Sequence, residues 1–267
     1  MDSRDLQDFA HALADRAAEE TLPRFRVSTA IDNKHSTGFD PVTEGDRAAE
    51  TAIREMIEAR FPGHGVVGEE FPEKPGDGSG WRWVLDPIDG TRAYICGVPV
   101  WTTLIALERN GAPVLGVIDQ PFLRERWLGS RPGAGEAALE IRGAPAGAPT
   151  ADRLGDARMM VTDMRAGEHF SAEEAAAVAR LASKVRVVRQ GLDGYGFGLV
   201  ASGQMDLVVE AGLSWHDIAA VIPVIEAAGG AVTDWRGRPL APGASGYRVV
   251  AAAGESLAEE ARQALGI

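Results

Sequence analysis

Apolar residues return every third or fourth position at the start of the chain. Leu6, Phe9, Ala10, Leu13 and Ala17 share one helical face with charges between them, which predicts an amphipathic helix over residues 3–22, ended near Pro23. Ile53, Met56 and Ile57 predict a second helix over 44–60, with Thr43 as its cap and Phe61-Pro62-Gly63 as its stop. The pattern then changes. Residues 65–68, 83–85, 102–107 and 114–118 are short apolar runs that read as strands, and Arg109-Asn110-Gly111 supplies a turn between the last two. Residues 72–80 are rich in Gly and Pro and read as a surface loop, while 131–149 lose periodicity and read as a linker. Strand-like segments at 158–162, 185–189, 207–210, 231–234 and 248–252 follow, with helix-like segments at 172–181, 195–201, 217–228 and 257–265. The pattern predicts an α+β half over 1–130, a linker over 131–149 and an α/β half over 150–267.

Composition changes this picture little. The chain has 267 residues, 45% hydrophobic and 25% charged, enough for a sizeable core without disulfides. A net charge of −12 argues against a duplex nucleic acid partner, which would want a basic face. It leaves a phosphorylated small molecule open, provided divalent cations sit between phosphate and protein. The single cysteine, Cys96, excludes an intrachain disulfide and a thiolate zinc cluster, and reads as a small apolar filler. A reducing, cytoplasmic setting fits. Met1-Asp2-Ser3-Arg4-Asp5 is not the start of a signal peptide, and no apolar run approaches the roughly 18 residues of a membrane span.

Candidate chemistry gathers where the predicted strands end. Asp86-Pro87-Ile88-Asp89-Gly90-Thr91 follows a short buried strand that Pro87 stops. Its two carboxylates could converge, and the Gly90 and Thr91 amides could face an anion if they open a helix. The same residues could equally form a polar turn. Glu69 and Glu70 end the strand before it, and could also be a solvated pair. Thr43 and Asp46 fit a helix cap, as does Asp217 in Trp215-His216-Asp217. His216 reads as packed or solvated, because no second histidine lies at useful spacing.

Taken in order, these motifs resemble the inositol monophosphatase superfamily of metal-dependent phosphatases. The resemblance is carried by Lys34 with Asp40-Pro41-Val42-Thr43-Glu44-Gly45-Asp46, by Gly68-Glu69-Glu70, by Trp83 through Thr91, and by Trp215 through Ala220. It implies the layered αβαβα sandwich of the sugar phosphatases, a homodimer, and two or three Mg²⁺ ions. It implies metal ligation by Glu69, Asp86, the Ile88 carbonyl, Asp89 and Asp217. It also implies a water-activating network of Asp46, Thr91 and Glu69, and phosphate on the Gly90 and Thr91 amides.

Within that superfamily, Gly90-Thr91-Arg92-Ala93-Tyr94, the run 116–127 and Arg189-Gln190-Gly191-Leu192-Asp193 resemble the histidinol-phosphatase branch. The implied activity is Mg²⁺-dependent hydrolysis of L-histidinol phosphate in histidine biosynthesis. Arg92, Asp193 and Glu210 are the implied substrate contacts, since the two acids suit an ammonium and an imidazole. Gly194 and His216 depart from the branch. An inositol monophosphatase or broader small-molecule phosphatase is the alternative, and a Mg²⁺-responsive binding protein without turnover is a third reading of a different class.

Overall fold

The computed structural model describes residues 3–27, 31–33, 41–134, 136–144, 147 and 150–266. Lys34 and Asp40 lie outside these residues.

Two helices open the chain, α1 (Ser3–Thr21) and α2 (Glu44–Arg60), joined through the small hairpin of β1 (Ile31–Asn33) and β2 (Pro41–Thr43). Thr43 caps α2 in a reciprocal capping box with Asp46. A six-stranded sheet follows: β3 (Gly65–Gly68), β4 (Trp81–Asp89), β5 (Thr102–Arg109), β6 (Ala112–Gln120), β7 (Glu125–Ser130) and β8 (Ala138–Arg142), in that spatial order. Only β3 and β4 pair in parallel. The short α3 (Thr91–Ile95) sits between β4 and β5.

The second sheet contains β9 (Arg158–Val161), β10 (Val187–Gln190), β11 (Leu207–Leu213), β12 (Ala231–Thr233) and β13 (Tyr247–Ala252), ordered β10-β9-β11-β13-β12. Its helices are α4 (Ala172–Ala182), α5 (Asp193–Ala201), α6 (Trp215–Ala219), α7 (Val221–Ala227) and α8 (Glu255–Leu265).

Three apolar clusters define five layers. One joins α1 and α2 to the outer face of the first sheet through Leu13, Ile53, Trp83 and Leu107. The second fills the space between the sheets and holds α5, α6 and α7, with Trp127 from the first sheet and Val208 from the second. The third packs α4 and α8 on the outside of the second sheet through Val178, Leu257 and Val250. The layering is therefore helix, sheet, helix, sheet, helix. Among the described residues, no helix is long and apolar enough to cross a membrane.

Four expectations change. Residues 138–142, inside the predicted linker, form edge strand β8, whose Leu139 and Ile141 pack inward while Ala138, Glu140 and Arg142 face out. Gly and Pro clusters on either side hid that two-residue alternation. The strand ahead of Pro87 does not stop there: β4 runs through to Asp89. It does so across a bulge, where a residue without an N–H can be accommodated. The single helix expected over 217–228 is two, broken at Ala220, because Pro223 has no N–H to bond Ala219. Cys96 is exposed at the end of α3 rather than filling the core.

Candidate metal centre

The site begins with the bulge in β4. Asp86 pairs with Leu104 and Asp89 with Thr102, so β4 carries one more residue than β5 between them. The Thr103 hydroxyl pins the loop by donating to the Pro87 carbonyl at 2.7 Å. Asp86 is 2% exposed, and its Oδ1 has no hydrogen-bond partner. Asp89 accepts the Gly194 N–H at 2.5 Å and the Thr102 hydroxyl at 3.2 Å. A Cβ on Gly194 would stand 2.5 Å from Asp89 Oδ2, so only glycine lets α5 come this close. Gly90 turns the chain with φ of 80°. The Thr91 hydroxyl then donates back to the Ile88 carbonyl at 3.1 Å.

Glu69 and Glu70 leave the end of β3, and a buried acid on α2 fixes their turn. Glu50 is fully buried and accepts the Glu70 N–H at 2.8 Å, the Phe71 N–H at 3.3 Å and Arg54 Nε at 2.7 Å. A Cβ on Gly68 would fall 2.0 Å from Glu50 Oε1, which accounts for glycine there. Asp46 Oδ2 accepts the Thr43 N–H at 2.8 Å and the Thr43 hydroxyl at 2.6 Å, while its Oδ1 is buried without a partner. Asp217 sits in the first turn of α6, which starts at Trp215 rather than at Asp217, and accepts the Ser214 N–H at 2.6 Å.

These acids, with His216, form three overlapping triads: Asp46, Glu69 and Glu70; Glu69, Asp86 and His216; and Asp86, Asp89 and Asp217. Within each, one ligand atom per residue lies within 4.8 Å of the others. Glu69 links the first two triads and Asp86 the last two. Burial, reinforced by Glu69, Asp89 and Asp217, pushes the Asp86 carboxyl well above the usual range. Burial and the charges of Asp193 and Asp217 do the same to Asp89. Burial raises Asp46 to about 7, against the Thr43 hydrogen bonds. Among the described residues lining this cavity, Arg92 is the one lysine or arginine. Crowded acids with unpartnered buried oxygens and so little basic charge fit divalent cations.

The triads open into a cavity of about 450 Å³. Glu69, Asp86, Ile88, Asp89, Gly90, Thr91, Arg92, Asp193, Glu210 and Asp217 all line it. Asp46 does not line the cavity and reaches the cluster through Glu69 and Glu70. Asp46 and Thr91, expected in one network, are not hydrogen-bonded to each other: each spends its bonds locally, on Thr43 and Ile88. Arg92 is exposed and pairs with Glu168 at 3.3 Å. Asp193 holds a left-handed backbone, φ 46°, at the start of α5, and burial raises its carboxyl to about 6. Glu210 is buried where β11 bulges before Gly212, and its Oε1 accepts the Thr162 N–H at 2.5 Å.

The sequence reading set His216 aside as packed or solvated, took Gly194 only as a departure from the histidinol-phosphatase branch, and did not single out Glu50, Thr162 or His169. Glu50 could have been suspected, since it lies one helical turn beyond Asp46 on a face otherwise apolar. Thr162, just past β9, and His169, in the segment between β9 and α4, carry no local signal although both line the cavity.

A profile of the inositol monophosphatase family matches residues 2–265. A histidinol-phosphatase of Chlorobaculum parvum is 41% identical over 235 residues, covering 88% of this chain and 87% of the relative. A chloroplastic bifunctional phosphatase of Arabidopsis thaliana is 37% identical over 270 residues, covering 96% of this chain and 73% of the relative. The solved structure of an inositol monophosphatase from Zymomonas mobilis superposes with a TM-score of 0.85 at 38% identity, covering 99% of this chain and 98% of that one.

Proposed function

This chain belongs to the inositol monophosphatase family, and on that premise we propose that it hydrolyses L-histidinol phosphate to L-histidinol and phosphate with Mg²⁺. The observation that carries the reading is the set of linked acidic triads beside a cavity that Asp193 and Glu210 also line. Glu69, Asp86, the Ile88 carbonyl, Asp89 and Asp217 are the residues that would hold Mg²⁺. When bound, two or three Mg²⁺ ions would screen the carboxylates from the substrate phosphate and polarise the ester.

The chain's own groups do the rest. The Gly90 and Thr91 amides bind phosphate oxygens. Asp46, with its carboxyl raised to about 7 and one oxygen unpartnered, would take the proton of the attacking water at the Glu69 side of the cluster, since it does not itself line the cavity. Glu69 orients that water, and the Thr91 hydroxyl joins once it turns from the Ile88 carbonyl. Histidinol phosphate brings an ammonium and an imidazole, which Asp193 and Glu210 suit as hydrogen-bonding acids. Arg92 would border the phosphate. The resemblance to the Chlorobaculum histidinol-phosphatase supports this substrate. The Zymomonas inositol monophosphatase supports a second reading, hydrolysis of inositol phosphate.

Phosphate release should be measured with histidinol phosphate, inositol phosphates, fructose bisphosphate and adenosine bisphosphate, with and without Mg²⁺. The expected result is Mg²⁺-dependent release strongest from histidinol phosphate. Comparable rates on inositol phosphate would remove the narrow substrate, and no release from any of them would leave only a binding protein. Asp89→Asn should lower turnover by at least about a hundredfold while leaving the circular dichroism spectrum unchanged, since it removes a charge aimed at the cations.

A further inference from the structure

We propose that His216 is a metal ligand, which makes the middle of the three triads a mixed nitrogen and oxygen site that takes Zn²⁺ in preference to Mg²⁺. The inference rests on the metal-dependent reading given above and assigns one more donor to it.

The imidazole lies within reach of both shared acids. Glu69, Asp86 and His216 each offer an atom within 4.8 Å of the other two. Donors bonded at about 2.1 Å in a tetrahedral set lie about 3.4 Å apart, so an ion would draw the three side chains together by roughly an ångström through rotamer adjustment. His216 Nε2 points into the acids, standing 3.5 Å from Asp217 Oδ1. The ring borders the same cavity as the carboxylates and is four-fifths covered, with a side-chain exposure of 21%. Asp86, the member shared with the Asp89 and Asp217 triad, is buried and has an oxygen with no partner. An acid with a buried unpartnered oxygen, grouped with an imidazole and a second carboxylate, is suited to share a cation with them.

The local sequence explains the aim. Ser214 opens α6, and Asp217 turns back to bond the Ser214 N–H at 2.6 Å. Trp215 anchors the same turn on the other side, where its Nε1 donates to the buried Glu108 at 2.5 Å. Between two anchored neighbours, His216 projects into the cavity.

Donor type then sets the preference. Carboxylate and carbonyl oxygens suit Mg²⁺, whereas imidazole favours the later first-row ions. The outer triads contain only oxygen donors, so one site of the three would discriminate.

The test uses the full chain, stripped with chelator and titrated with Mn²⁺ to three equivalents. Binding is counted from the free-ion electron paramagnetic resonance signal, and nitrogen ligation is read as ¹⁴N modulation of the electron spin echo. Modulation should appear in the wild type, change frequency when histidine is labelled with ¹⁵N, vanish in His216→Gln and persist in His169→Gln. Zn²⁺ affinity should fall about tenfold or more in His216→Gln, with a smaller change for Mg²⁺. The isotope measurement needs no variant, so it decides even where His216→Gln folds poorly. Bound Mn²⁺ without nitrogen modulation, or modulation that survives His216→Gln, would overturn the assignment and leave the oxygen-ligand reading standing. No binding of Mn²⁺ or Mg²⁺ at all would overturn both.

Discussion

Glu210 is fully buried, with Oε1 on the Thr162 N–H and Oε2 without a partner. Burial, helped by Asp193 and Asp217, raises its carboxyl from 4.5 to about 8, against the Thr162 hydrogen bonds. In the folded state the group keeps its proton where the unfolded chain has lost it. The folded protein therefore binds more protons between about pH 4.5 and about pH 8, and its stability falls as pH rises through that window. Asp86, Asp89 and Asp46 are shifted the same way, so the effect belongs to the whole acidic wall. Melting curves of chelated protein should show Tm falling from pH 5 to about pH 8, with a shallower fall in Glu210→Gln. An identical slope in that variant would place the buried charge elsewhere. Added Mg²⁺ should raise Tm most at the upper end of the range, where the carboxylates are ionised.

At the scale of elements, two bulges and two glycines set the site. The bulge in β4 turns Asp86 and Asp89 toward one centre, and the bulge in β11 falls between Glu210 and Leu213. Both break a strict alternation that would send neighbouring side chains to opposite faces. The helices α6 and α7 lie so close on the first sheet that a Cβ on Gly116 would meet the Ala220 carbonyl oxygen at 2.0 Å. One on Gly129 would meet the Pro223 carbonyl oxygen at 2.3 Å. That approach brings Asp217 and His216 over the acids of β3 and β4. Gly116→Ala should destabilise the protein by about 1–3 kcal/mol, read by urea unfolding, and lower metal affinity by moving α6. Unchanged stability together with unchanged affinity would show that the helix is not seated through this contact. The motif run 86–91 was legible because its residues are contiguous, whereas the bulge that makes them converge depends on the partner strand β5.

For the whole molecule, the decisive feature is a core shared by both sheets. Trp127 of β7 packs in one cluster with Met160, Val208 and Val249 of the second sheet, and its Nε1 donates to Ser202 at 2.6 Å. Cutting the chain between the sheets would expose this cluster on each piece. Fragments 1–143 and 150–267, expressed separately, should give poorly dispersed nuclear magnetic resonance spectra. Cooperative unfolding of either fragment alone would show that the halves fold independently. Helices α1 and α2, most strands, the layered fold by resemblance, and Glu69, Asp86, Asp89 and Asp217 as candidate ligands were legible along the chain, because periodicity and contiguous motifs are local properties. That Glu50 holds the Glu69–Glu70 turn, that Gly194 approaches Asp89, and that His216 groups with Glu69 and Asp86 emerged only in the folded chain. Those relations depend on residues from different layers meeting across a packed core, and no local pattern along the chain encodes such a meeting. The carboxylates were visible as letters, and their convergence became visible only when two sheets and the helices between them closed on the same point.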